Sequence, residues 1–168
     1  MTNVVEKARL FATAAHAAVG QTRKYTGEPY IVHPIEVADI VASVGGTDAM
    51  VAAALLHDVL EDTDVTVDLL EAEFGSEVAD LVLWLTDVST PEDGNRSTRK
   101  ALDRQHSAAA PAEAQTIKVA DLISNTKTIV AHDPHFSKVY LEEKRLLLEL
   151  LTRADPALLE MAKTQITI

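Results

Sequence analysis

The sequence predicts an all-α fold: a single domain, residues 1–168, of about eight helices. Three observations carry the prediction. Apolar residues recur every three to four positions through long segments, and no segment shows a convincing strand pattern. Hydrophobic residues make up 47% of the chain but aromatics only 4%, so the core is built from Ala, Leu, Val and Ile, as in a helical bundle. Gly, Pro and capping residues fall between the periodic segments. At 168 residues the chain fits one domain with a full core.

The first helix is expected over Asn3–Val19, where Val5, Ala8, Leu10, Phe11, Ala15 and Val19 form an apolar face and Gly20 can end it. His16 on this helix could be a ligand, but a packing histidine is the commoner reading. Residues 21–32, QTRKYTGEPYIV, read as a loop with turn signals at Thr26-Gly27 and Glu28-Pro29. Arg23 and Lys24 are an ordinary solvated pair or an anion clamp, since Arg offers a planar fork that also stacks on a base. Pro34 suits a first helical turn, which puts His33 at the N-cap boundary of the helix that runs through IEVADIVASV. Gly45-Gly46 closes that helix, and Thr47 or Asp48 caps the next.

Val67–Phe74 is a short helix stopped by Gly75, and Ser76 is expected to cap a helix over Glu77–Val88. Trp84, the only tryptophan, is expected in the core among Leu81, Leu83 and Leu85. STPEDGN, residues 89–95, is a loop. Arg96, Arg99, Lys100 and Arg104 follow at helical spacing, as a solvated face or a phosphate-binding edge. Glu113–Val130 is a long helix in which Asp121 interrupts the apolar run VADLI. A buried carboxylate there would need a partner. Phe136–Leu151 is the last long amphipathic helix, and Asp155-Pro156 caps a terminal one.

Composition excludes several classes. There is no cysteine, so disulfides and thiolate metal sites are absent and any metal must be held by His and carboxylates. A net charge of −11 argues against non-specific nucleic-acid binding. It does not exclude a small anionic ligand, which a metal and a few local cations can hold. The N-terminal MTNVVEKARLF has no signal-peptide pattern, and no apolar run approaches the roughly 20 residues that span a bilayer. A cytoplasmic protein with no membrane partner is the default, and a homodimer stays open.

The chain is organised around Val51–Asp62, VAAALLHDVLED, in which Ala53, Leu56 and Leu60 share a face when read as a helix. Adjacent buried His and Asp need a partner, and a metal ion suits both. A polar turn after a core helix is the plainer alternative. A second pair, His132-Asp133, lacks the apolar lead-in and the following Glu-Asp, and reads as a helix end. His33, His57, Asp58 and Asp121 are then four candidate metal ligands on separate elements. Two imidazoles and two carboxylates leave positions open on a six-coordinate ion, which favours Mn²⁺, Fe²⁺ or Mg²⁺ over a closed zinc site.

This H…HD…D order resembles the HD phosphohydrolase superfamily. The segments RK-YTGEPYIVHPIEVA, ALLHDVLEDT and KVADLISNT look like the hydrolase domain of RelA/SpoT proteins, over essentially the whole chain. The length resembles a stand-alone small alarmone hydrolase. The resemblance implies removal of the 3′-pyrophosphate from (p)ppGpp, giving GDP or GTP. It implies Mn²⁺ on His33, His57, Asp58 and Asp121, with Fe²⁺, Mg²⁺ or Zn²⁺ as alternatives. It gives Glu61 and Asp62 the catalytic proton-handling role. Arg23 and Lys24 match the family's substrate-binding pair, and Asn125 matches its nucleotide-contacting Asn. Tyr140, Lys100 and Arg104 are further ribose or phosphate candidates. One departure is Leu122 and Ser124, where many members carry a basic residue and a His or Tyr. Guanine preference is therefore open, with (p)ppApp and NADPH as alternative substrates. A catalytically silent nucleotide-binding module would be expected to lose Glu61-Asp62 or a ligand, and this chain keeps them all.

Overall fold

The computed structural model describes residues 3–167, which divide into two compact units meeting between Thr86 and Asp87. The first holds α1 (Val4–Ala18), α2 (Val32–Ser43), α3 (Asp48–Leu56), α4 (Val59–Asp62), α5 (Val67–Phe74) and α6 (Ser76–Leu85). The second holds a 3₁₀ turn (Pro91–Asp93), α7 (Arg96–Ala109), α8 (Ala112–His132), α9 (Pro134–Leu148), α10 (Pro156–Thr164) and a last 3₁₀ turn (Gln165–Thr167). The described residues contain no β-strand, only an isolated bridge between Thr22 and Pro29.

In the first unit α3 is the buried axis. Every residue from Met50 to Leu56 is buried, and the helix packs against α1, α2 and α6. A helix that is apolar all round must be covered on every side. Thr47 starts it, accepting from the Met50 amide at 3.2 Å. The preceding turn needs glycine: a Cβ on Gly46 would lie 2.5 Å from Val41 Cγ1 and 2.9 Å from the Val41 carbonyl. α5 and α6 pack together across Gly75, whose φ of +86° suits a residue without a side chain. Phe11 of α1 meets Phe74 of α5 edge to face at 5.3 Å, and Lys7 pairs with Glu73 at 2.9 Å.

The spine of the second unit is α8, packed by α7, α9 and α10. Two of the unit's buried polar side chains, Gln115 and Lys144, find their partners inside the unit. The Gln115 amide donates to the carbonyls of Ser107, Ala108 and Ala110 and accepts from the Arg153 amide. Lys144 of α9, 1% exposed, donates to Thr126 Oγ1 at 2.9 Å and Gln165 Oε1 at 2.6 Å, tying three elements together. Burial pushes its ammonium down to about 8.

Several local expectations are corrected. Val51–Asp62 is not one helix: α3 stops at Leu56 and α4 is a separate single turn, so His57 and Asp58 sit in the break. His33 lies inside the first turn of α2, after Ile31 at the N-cap. Ser76 is helical, with Gly75 at the N-cap, and α6 ends at Leu85. Trp84 is half-buried and Leu83 is 39% exposed, so that edge of α6 is not core. None of the described helices is long and apolar enough to cross a membrane.

Candidate active site

The break after α3 has a simple cause. The apolar run ends at Leu56, and the next two residues carry polar groups that cannot continue into a dry core. The His57 amide reaches back only to the Ala54 carbonyl, at 3.5 Å. The break lets two adjacent side chains serve one point, which a continuous helix would point about 100° apart.

His33, His57 and Asp58 meet there. Each offers a ligand atom, and these atoms lie within 4.8 Å of one another. Both imidazoles are 2% exposed. Their rings stand edge to face at 5.2 Å, and Asp58 Oδ2 is 3.0 Å from His57 Nε2 and 3.9 Å from His33 Nε2. His57 Nδ1 lies 2.7 Å from the Ala54 carbonyl oxygen, which can only accept. In the neutral ring the proton is therefore on Nδ1 and the Nε2 lone pair faces the Asp58 carboxylate. Two electron-rich atoms in such contact call for a cation, and the donor set of two nitrogens and one carboxylate oxygen fits a divalent metal.

The supporting residues come from the loop before α2. The Tyr30 hydroxyl donates to Asp58 Oδ2, and its ring lies 5.9 Å from His33 and 4.7 Å from His16. Such outer contacts orient metal ligands. Tyr30 was not among the residues expected from sequence, although it stands inside the GEPYIVHP segment. The Arg23 guanidinium stacks over the Tyr30 ring at 5.8 Å, and exposed Lys24 lies over Tyr25.

Glu61 and Asp62 occupy α4. Glu61 is exposed and Asp62 half-buried. Burial first, and then the Asp58 charge, push the Asp62 carboxyl above the usual carboxylate range. Gln21 Nε2 donates to Asp62 Oδ2 at 3.2 Å, which opposes the rise. His16 is not in the ligand cluster. It is 1% exposed and bonded through Nδ1 to Gln21 Oε1 at 2.8 Å.

The remaining candidates belong to the second unit. Asp121 of α8 is buried, not solvent-facing, with Asn125 Nδ2 at 3.0 Å and Lys118 Nζ at 3.4 Å. It lines a cavity of about 250 Å³ together with Asn125, Tyr140, Lys100, Arg104 and Leu122. The Tyr140 hydroxyl donates to the Leu122 carbonyl at 3.3 Å, and burial pushes the phenol well above its ordinary range. His132 is the exposed last residue of α8, and Asp133 caps α9.

A family model described as HD domain matches residues 8–146, running through both units. A probable guanosine-3′,5′-bis(diphosphate) 3′-pyrophosphohydrolase of Synechocystis is 38% identical over 131 residues, covering 76% of this chain and 17% of that protein. A probable chloroplastic GTP diphosphokinase of Arabidopsis thaliana, RSH3, is 37% identical over 143 residues, covering 80% and 20%. The chain thus spans about a fifth of the length of these curated relatives. A solved structure of a metazoan ortholog of SpoT, described as hydrolysing ppGpp and playing a role in starvation responses, superposes with a TM-score of 0.87 at 25% identity. That match covers 99% of this chain and 96% of the other.

Proposed function

Because this chain belongs to the HD domain family, we propose that it is a metal-dependent 3′-pyrophosphohydrolase of guanosine 3′,5′-bis(diphosphate). It would convert ppGpp or pppGpp to GDP or GTP and pyrophosphate in alarmone turnover, with residues 1–168 acting as one cytoplasmic HD domain. The observation that carries the reading is the His33, His57 and Asp58 cluster, in a chain similar along its length to a ppGpp-hydrolysing protein. The names of the relatives divide between hydrolysis and diphosphate transfer. A ligand cluster with a proton-handling carboxyl beside it supports hydrolysis.

His33, His57 and Asp58 would hold the ion, Mn²⁺ first and Fe²⁺, Mg²⁺ or Zn²⁺ as alternatives. Asp121 enters as fourth ligand on the sequence pattern alone. When bound, such an ion acidifies water and polarises a phosphoryl oxygen. The water oxygen bonds to the phosphorus on the 3′ side, the P–O3′ bond breaks, and the 3′-oxygen takes up a proton. Asp62, whose carboxyl is raised by burial and then by the Asp58 charge, is suited to pass a proton to the leaving oxygen from the carboxyl oxygen not engaged by Gln21. Exposed Glu61 on the same turn accepts the proton released by the water. Tyr30 keeps Asp58 oriented. Arg23 offers a flat cation to the base, and Lys24, Lys100 and Arg104 offer charge to the phosphates. Asn125 and Tyr140 line the cavity as nucleotide contacts.

Leu122 and Ser124 favour keeping a second reading. Both are buried and neither is cationic. Leu122 lines the cavity, and an uncharged side chain there suits (p)ppApp or NADPH as well as a guanine nucleotide. The test is turnover of ppGpp, ppApp and NADPH side by side, with and without Mn²⁺, following pyrophosphate and phosphate. Mn²⁺-dependent pyrophosphate release from ppGpp is the expected result. Preference for ppApp, or phosphate release from NADPH, moves the substrate to the second reading. No turnover with metal bound removes the enzyme reading and leaves a nucleotide-binding module.

A further inference from the structure

One buried imidazole of the first unit takes no part in that reaction. His16 sits in the last turn of α1 and is 1% exposed. Its Nδ1 lies 2.8 Å from Gln21 Oε1, and the Gln21 amide nitrogen donates to Asp62 Oδ2 at 3.2 Å. Its Nε2 is buried and makes no hydrogen bond.

The direction of this chain is set from its Asp62 end. With the carboxyl proton kept to its other oxygen, Asp62 Oδ2 accepts, so the Gln21 amide turns its NH₂ toward Asp62 and its carbonyl toward His16. That carbonyl only accepts, so His16 carries its proton on Nδ1. In the neutral ring the Nε2 lone pair is left buried without a donor, a destabilising arrangement that a phenylalanine or leucine of similar size would avoid. Packing alone does not explain a histidine here; a directed N–H does.

Asp62 has reason to need such an anchor. It stands on α4, a helix of four residues followed by extended backbone at Thr63, so its own element fixes it weakly. Gln21 is well held. Its amide bonds to the His16 carbonyl at 3.1 Å, and its carbonyl accepts from the Tyr30 amide at 3.3 Å. A side chain pinned at its base and oriented at its tip by His16 can hold a carboxylate on a short, loosely supported turn.

We infer that His16 and Gln21 are positioning residues for Asp62: the imidazole N–H fixes the Gln21 amide, which fixes one carboxylate oxygen and leaves the other facing the reaction. The inference rests on the proton-handling role proposed for Asp62.

Three arms test it. Gln21→Leu should lower kcat for ppGpp by roughly 10–100-fold, as losses of supporting contacts do. KM should stay within about twofold and bound metal should be unchanged. At position 16, asparagine offers an N–H near the place of Nδ1, whereas glutamine offers its N–H near the place of Nε2. His16→Asn should keep most of kcat, and His16→Gln should match Gln21→Leu. A packing role predicts the reverse order, because glutamine fills the site better. The third arm needs no turnover: ¹⁵N imidazole spectra of the wild type should show His16 as the Nδ1–H tautomer, and Gln21→Leu should lose that preference. If none of ppGpp, ppApp and NADPH is hydrolysed, the enzyme reading falls and the spectra still decide the orientation of the chain. An Nε2–H tautomer, an unchanged kcat in Gln21→Leu, or loss of metal in that variant overturns the inference.

Discussion

The molecule carries the same dipeptide twice, once in each unit, and puts it to opposite uses. His57-Asp58 follows α3, whose last seven residues are all buried, and its imidazole is 2% exposed. His132-Asp133 closes α8, and its imidazole is exposed. Asp58 accepts from the Tyr30 hydroxyl and faces His57 Nε2 at 3.0 Å. Asp133 accepts from the Phe136 amide at 3.0 Å and starts α9. The dipeptide carries little information alone. Its fate depends on whether the helix before it is buried on every side and whether the helix after it needs a cap.

The largest expected effect breaks the first pair. His57→Ala should abolish measurable metal binding and reduce activity by more than the roughly 10–100-fold typical of supporting contacts. Metal analysis of the purified variant, beside its turnover, checks this. Metal retained at wild-type stoichiometry would mean that His57 is not a ligand and that the ion binds elsewhere.

A smaller effect sharpens the same contrast. Tyr30→Phe removes only the hydroxyl that donates to Asp58 and leaves the ring against His33 and His16. Metal affinity or activity should fall about tenfold, with the fold intact by circular dichroism. Asp133 accepts from the Phe136 backbone amide, a donor that no side-chain substitution removes.

Much of this was legible in the sequence, for reasons that differ by element. α5 matches its expected span to the residue, because Thr66 and Gly75 mark both ends chemically. The His-Asp contrast was readable from the apolar lead-in and the Glu-Asp that follows the first pair. The break at His57 was not: VAAALLHDVLED keeps helical spacing throughout, and only the packing of α3 on three sides shows where a polar side chain must leave the helix. Ser76 misled because a good capping side chain follows a glycine that already turns the backbone. Tyr30 and Gln21 were missed because a donor to a carboxylate has no spacing rule. Their partners are 28 and 41 residues away in the chain.

The second unit also buries a titratable group, but without a carboxylate facing it through a hydrogen bond. Lys144 has two neutral oxygens as partners, and burial lowers it from 10.5 to about 8. Below pH 8 both folded and unfolded forms are charged and the full cost of burying the ammonium is present. Between pH 8 and 10.5 the unfolded chain still binds the proton that the folded chain has lost, so folding stability rises with pH. Relative to Lys144→Met, the wild type should therefore gain about 1–3 kcal/mol between pH 7 and 10.5, read from urea unfolding of both proteins. No gain would place the ammonium in contact with water.

The smallest effects test the second His-Asp pair directly. Asp133 is an N-cap, and replacing such a cap by alanine costs about 1 kcal/mol. Pro134 at the first helical position keeps the backbone preset for the turn, so the loss should not exceed that figure. Asp133→Ala should lower Tm by roughly 2–4 °C and leave metal content and kcat unchanged. His132→Ala removes an exposed side chain from a helix end and should shift stability by no more than about 0.5 kcal/mol. The two variants together separate capping from ligation. A cap deletion is felt in Tm and nowhere else, whereas loss of a ligand is felt in bound metal. If either variant released metal, the second pair would be a metal site and the contrast between a buried and an open lead-in helix would lose its meaning.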